Sequence, residues 1–136
     1  MKKILKTTSA IAVICLSLLI LISCNNTDAQ KKVKVTIEDR IAEENAFSIS
    51  DEIEIPENAN SGECFRQLCN KNDTEIIGVD EGYITSVNKI ESEGDYAWMF
   101  FVNGELAEKS VKDIVPSDGD KITLAYVNWT ELFDEE

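Results

Sequence analysis

The side chains able to do chemistry in this 136-residue chain are its carboxylates, its four cysteines and one aromatic segment near residue 100. It carries 26 acidic and 13 basic residues and no histidine. Without histidine neither a Ser-His nor a Cys-His pair can form, and the commonest zinc ligand is missing. Thr85 and Ser86 therefore have no imidazole base. Carboxylates for acid–base work are numerous, but no two are singled out as facing one another across a pocket, so the expectation is a protein that is not an enzyme. The same carboxylates open a second chemistry. Asp118 and Asp120, or the Asp80-Glu81 and Glu93-Asp95 pairs, offer the oxygen donors that calcium prefers, although none has the EF-hand spacing. Asp118-Gly119-Asp120 reads equally as a turn, with aspartate capping it and glycine taking positive φ. Asp118 and Asp120 are the candidates for a divalent cation.

A third chemistry is stacking. In the run from Tyr96 to Val102 both faces are apolar or aromatic, with Tyr96, Trp98, Phe100 and Val102 pointing one way and Ala97, Met99 and Phe101 the other. One face must pack on the core. The other is either covered by a loop or by the segment around Trp129 and Phe133, or it is a binding surface. In the second reading Tyr96, Trp98 and Phe100 form a platform for a planar ligand or an apolar partner, with Tyr83 and Ser86 adding polar contacts. Cys64 and Cys69 lie five positions apart. On a helix that is ~8 Å between Cα atoms, beyond the ~7 Å reach of a disulfide. The spacing is not that of a zinc site either. Two small buried apolar residues is the simplest account, and an extracytoplasmic address also permits a bond.

The chain opens with Lys2, Lys3 and Lys6, followed from Ala10 to Ile22 by residues that are all apolar except Ser17. This run falls short of the ~20 residues a membrane-spanning helix needs and fits the apolar region of a secretory signal. It ends in Leu21-Ile22-Ser23-Cys24, which resembles the lipobox of bacterial lipoproteins. That resemblance implies cleavage before Cys24, a lipid anchor on its sulfur, and a domain held at the extracytoplasmic face of the cell membrane. Residues 1–23 are then the signal and 24–32 a polar tether. Cleavage discards three lysines and no carboxylate, leaving a domain more acidic than the formal charge of −13 for the whole chain. Such a charge repels phosphate backbones and excludes nucleic acid as a partner.

The elements that must position these residues read as β-β-α followed by further strands. Val33, Val35 and Ile37 alternate with Lys32, Lys34 and Thr36. Phe47, Ile49, Ile53 and Ile55 form a second alternating run, which predicts an antiparallel hairpin across Ala42-Glu43-Glu44-Asn45. Pro56 ends it. Asn60 and Glu63 have capping-box spacing, and Cys64, Phe65, Leu68 and Cys69 fall within an arc of ~140° on the helix that follows. Glu75 to Val79 and Tyr83 to Val87 read as strands flanking an Asp80-Glu81-Gly82 turn. Tyr96 to Val102 and Glu105 to Ala107 are joined by Asn103-Gly104, and Lys121 to Val127 closes the chain. The expected fold is α+β, a β-grasp-like, ubiquitin-type mixed sheet with one main helix packed across it. It occupies residues 33–130 and is followed by an acidic tail at 131–136.

Gly82-Tyr83-Ile84-Thr85-Ser86-Val87-Asn88, then Tyr96 to Glu105, then Asp118-Gly119-Asp120 opening the last strand, together resemble the DUF4430 family. That family is similar to the small C-terminal domain of the cobalamin carriers transcobalamin and intrinsic factor. The resemblance spans roughly residues 33 to 127. It implies the β-grasp-like fold and, by analogy, a corrinoid or other flat ligand, with Trp98 in the part that resembles the ligand-facing hairpin. In those carriers the ligand lies between this small domain and a large helical toroid. The resemblance therefore also implies a partner chain with the toroid, or a transporter. Three readings stand: a surface lipoprotein that binds a corrinoid-type small molecule, a divalent-cation binder, and a protein-interaction or adhesion module that adds a strand at its sheet edge.

Overall fold

The computed structural model describes residues 29–133. The expected signal at 1–23, the expected lipid anchor Cys24 and residues 134–136 of the expected tail lie outside them. The chain begins with strand β1 (Gln30–Asp39), whose alternation sends Val33, Val35 and Ile37 fully inside while Lys32 and Lys34 face solvent. β2 (Ser48–Pro56) returns antiparallel to it, pairing Ile37 with Ile49 and Val33 with Ile53. Together they make the expected hairpin. The strand starts at Gln30, ahead of Val33 where the sequence reading opened the domain. Lys31 thus joins the inward row and is 2% exposed. Its ammonium donates to the carbonyls of Ala59 (2.8 Å) and Pro116 (2.6 Å), tying β1 to the helix entrance and to a loop 85 positions on.

Helix α1 (Ser61–Lys71) starts where the capping box places it. Asn60 Oδ1 accepts from the Glu63 N–H (2.9 Å), and Glu63 Oε2 accepts from the Asn60 N–H (3.2 Å). Cys64, Phe65, Leu68 and Cys69 form its buried face against β1 and β2. Lys71 in its last turn pairs with Asp51 of β2, which holds that exposed carboxyl below its usual range.

After the helix the sheet is interrupted. The expected strands at 75–79 and 83–87 shrink to β3 (Ile76–Ile77) and β4 (Ser86–Val87), joined by β5 (Ile90–Glu91) in a three-stranded sheet ordered β3-β4-β5. Gly78, at φ 108°, ends β3: an added Cβ would lie 2.0 Å from the Tyr83 carbonyl oxygen, so the chain must turn back there. β5 was not foreseen because its hairpin turn is Asn88-Lys89. Both residues adopt positive φ (51° and 65°) without the glycine that marks such turns in a sequence.

The main sheet resumes with β6 (Tyr96–Val102), turns at Asn103-Gly104 (φ 51° and 85°) as expected, and continues through β7 (Glu105–Leu106) to β8 (Lys121–Asn128). Its order is β2-β1-β8-β6-β7, with β1 and β8 parallel at the centre and every other pair antiparallel. This is the β-grasp arrangement: a mixed five-stranded sheet, one α-helix across it, and the small second sheet inserted in the crossover. A 3₁₀ turn (Trp129–Leu132) follows β8, so the acidic tail expected from residue 131 begins inside it.

Two substitutions test this scheme. Lys31→Met leaves two buried carbonyls without a charged donor and is expected to lose about 3 kcal/mol of stability. Asn60→Ala removes the cap and is expected to lose about 1 kcal/mol. Urea denaturation of both variants beside the wild type should place Lys31→Met well below Asn60→Ala.

Candidate functional site

The helix covers β1 and β2 but not the whole inward face of the sheet. On β6 that face is Trp98, Phe100 and Val102, which join the main core, and Phe65 of α1 meets Phe100 edge-on with ring centroids 5.7 Å apart. The opposite face carries Phe101, Ala125 and Val127 with Met99 and Leu106, and the Arg40 guanidinium lies 5.3 Å over the Phe101 ring. Of the two accounts of this strand, the first applies to its even-numbered row. Trp98 (5% exposed) and Phe100 (9%) are core residues, not an open platform, because the small sheet folds over them. The Trp98 indole N–H donates to the Ile90 carbonyl (2.7 Å), and Tyr126 packs 5.2 Å from its ring.

The cover is incomplete. Between β6, the loop at 82–84 before β4 and the segment after β7 lies a half-open cavity of about 610 Å³. Ile84, Trp98, Phe100, Val111 and Leu124 supply apolar wall, while Tyr83 and Ser110 stand among its polar groups. Tyr83 is 73% exposed. The structure thus brings three expected site residues, Tyr83, Trp98 and Phe100, to one cavity. The other two do not reach it. Ser86 is buried in β4, and Tyr96 is 41% exposed beside Tyr126, with ring centroids 6.2 Å apart.

The segment Ala107–Val111 forms a wall to which the sequence reading gave no role. Ser110 Oγ donates to Asp113 Oδ2 (2.9 Å), a local turn that aims Val111 inward. Gly82 lets this segment approach: at φ 88°, an added Cβ would come within 3.0 Å of Ser110 Oγ. The Gly82-Tyr83 pair was legible as a motif. The Ser-x-x-Asp turn facing it was the available signal for the missed wall.

The candidate cation ligands have other work. Asp118 Oδ1 accepts from the Lys32 N–H (2.7 Å), and Asp120 Oδ2 accepts from the Ser117 N–H (2.8 Å) while its Oδ1 accepts from Asn103 Nδ2 (3.2 Å). These carboxylates close the turn into β8. Among the described residues no three His, Cys, Asp or Glu side chains gather as a metal site would require. The acid Asp80 is bonded to Arg66, which holds its carboxyl below the usual range.

Cys64 and Cys69 are both free and fully buried. Burial pushes both thiols from an ordinary 9.0 up to about 11. They are inert core residues rather than nucleophiles.

A model described as "Domain of unknown function (DUF4430)" matches residues 65–128, which run from inside α1 to the end of β8 and hold every residue of the cavity wall named above. Haptocorrin in complex with Cbi is similar in structure, with a TM-score of 0.62 and 14% identity over 76% of this chain. The chain spans about a quarter of that protein (26%). A candidate metal-binding protein from Ruminococcus gnavus aligns at a TM-score of 0.48 and 20% identity, covering 72% of this chain and 97% of its own. No curated protein matches the chain.

The thiols provide a prediction with a definite sign. A thiol pKa raised by folding favours the native state fully below the unfolded value and loses that contribution as pH rises through the folded one. Stability is therefore expected to fall between pH 9.0 and about 11. A Cys64→Ala/Cys69→Ala variant should lack that limb of the melting-temperature profile. At pH 8 the wild-type thiols should react with Ellman's reagent only as urea unfolds the domain.

Proposed function

We propose that this DUF4430-like β-grasp domain is a binding module held at the outside of the cell membrane by a lipid on Cys24, and that its cleft receives one face of a flat small molecule of the corrinoid class. The observation that carries the reading is the convergence of Tyr83, Trp98 and Phe100 on one apolar cavity. Its volume lies within the range typical of small-molecule sites. Trp98 is fixed by its bond to Ile90, so an aromatic wall is preorganised and little ordering entropy is lost on binding. The resemblance in fold to haptocorrin supports the ligand class by analogy.

The cavity is half open and lies at one edge of the sheet. A ligand of corrinoid size would fill it with one side only, leaving the remainder for a second chain such as a helical toroid or a transporter component. We read the domain as a binder: the cavity is walled mainly by apolar side chains, with Glu108 and Lys109 as its charged groups. The divalent-cation reading is weakened by the turn bonds that already occupy Asp118 and Asp120.

Trp98 and Trp129 are the two tryptophans of the chain, so in a Trp129→Phe background Trp98 reports alone. Titration with cyanocobalamin is expected to give saturable quenching after inner-filter correction. Tyr83→Ala, an exposed change that spares the core, should weaken it about threefold to tenfold, as expected for loss of one aromatic contact. Absence of quenching at high micromolar ligand would remove the corrinoid assignment. For the anchor, radiolabelled palmitate should enter the wild type and not Cys24→Ala, and equal labelling of the two would remove the lipoprotein assignment.

A further inference from the structure

The free edge of β6 contains a gap one hydrogen-bonding rung wide, and the gap opens into the cavity. Along an antiparallel strand the main-chain groups of alternate residues leave on the same edge. On the edge away from β8 these belong to Tyr96, Trp98, Phe100 and Val102. Tyr96 exchanges both its bonds with Glu93 (2.9 Å each). Trp98 N–H donates to Ser92 Oγ (3.3 Å). Phe100 C=O accepts from the Ala107 N–H (2.9 Å), and Val102 pairs with Glu105. Among the described residues nothing pairs with the C=O of Trp98 or the N–H of Phe100. Both residues are nearly buried, and unpaired main-chain groups in such surroundings are rare.

The position of the gap relates it to the cavity. Met99 and Leu106 line the cavity together with Trp98 and Phe100, although the first two belong to the opposite face of the sheet. The cavity therefore wraps the strand edge at this point. A carbonyl at one residue and an N–H two residues on are the acceptor and donor that a single residue of a parallel neighbour uses: its N–H meets the first and its C=O the second. Ser92 and Ala107 close the edge on either side, so a long added strand cannot lie along it. One amino-acid unit fits, in register with Met99, so its side chain lies on the Met99 face of the sheet beside Leu106, where the cavity wraps the edge.

We propose that the cleft binds a short peptide or N-acyl amino acid, one residue of which bridges Trp98 C=O and Phe100 N–H while its apolar side chain packs against Met99 and Leu106 at the cavity's edge. This shares with the function proposed above only the premise that the cleft is a ligand site, and it adds a peptidic ligand class recognised through main chain. Recognition through main chain makes the bridging contact independent of side-chain identity at 98 and 100, leaving selectivity to Met99 and Leu106.

The test uses ¹⁵N-labelled protein and two probes: N-acetyl-phenylalanine N-methylamide, and its ester analogue in which oxygen replaces the residue's N–H. In free protein the Phe100 amide is expected to exchange with solvent faster than those of Met99 and Phe101, which face β8. Saturation with the amide probe should protect it and shift its resonance. The ester should bind about fivefold to tenfold more weakly, as loss of one hydrogen bond predicts. A Phe100 amide already protected in the free protein overturns the proposal, as does equal affinity for the two probes. If neither probe binds at millimolar concentration while cyanocobalamin does, the peptidic class falls and the cleft stands. If none of the three binds, both readings fall.

Discussion

The parallel pairing of β1 with β8 is the constraint on which the rest of this domain depends. It joins the first described strand to the last, Val35 beside Ile122 and Ile37 beside Leu124, and all four side chains are buried. Parallel neighbours cannot be joined by a tight turn. Everything from β2 to the turn before β8 is therefore crossover, and each part of it must find a way back to one sheet. Lys31 fastens the arrangement at its open end, where β1, the helix entrance and the loop before β8 meet around one ammonium group.

The cleft follows from that geometry. An 11-residue helix spans the β1–β2 side of the inward face, and Phe65 reaches Phe100 only at its edge. The apolar surface of Trp98, Phe100 and Leu124 is left to the three-stranded sheet and to the segment after β7, which meet over it without closing. A complete cover would have made an ordinary core. An incomplete one leaves preorganised aromatic wall, an exposed tyrosine at its side and an unpaired strand edge in the same place.

Local chemistry was readable in the sequence where one short segment decides the outcome. The Asn60–Glu63 cap, the helix face of Cys64, Phe65, Leu68 and Cys69, the Asn103-Gly104 hairpin and the turn at Asp118-Gly119-Asp120 all depend on residues a few positions apart. Legibility stopped where distant contacts override local pattern. The strands expected at 75–79 and 83–87 were cut short by close approach of Gly78 to the Tyr83 carbonyl. A hairpin at Asn88-Lys89 went unseen because lysine at positive φ carries no signal. Of the five residues expected to bind, Tyr83, Trp98 and Phe100 converge, whereas Tyr96 and Ser86 are separated from the cavity by where the small sheet falls.

By itself the sequence determined the inventory and the alternation: no histidine, an excess of acid, a helix with one apolar face, and strands whose inward rows are set by a period of two. Those properties exclude imidazole-based catalysis and define which side chains can be buried, because they depend on composition and on neighbours along the chain. Only the tertiary structure decided which buried rows meet and how fully they are covered. Trp98 and Phe100 became part of the wall of a cavity, and two main-chain groups of β6 were left unpaired among the described residues, because covering that edge depends on segments before and after it that the chain brings together only on folding.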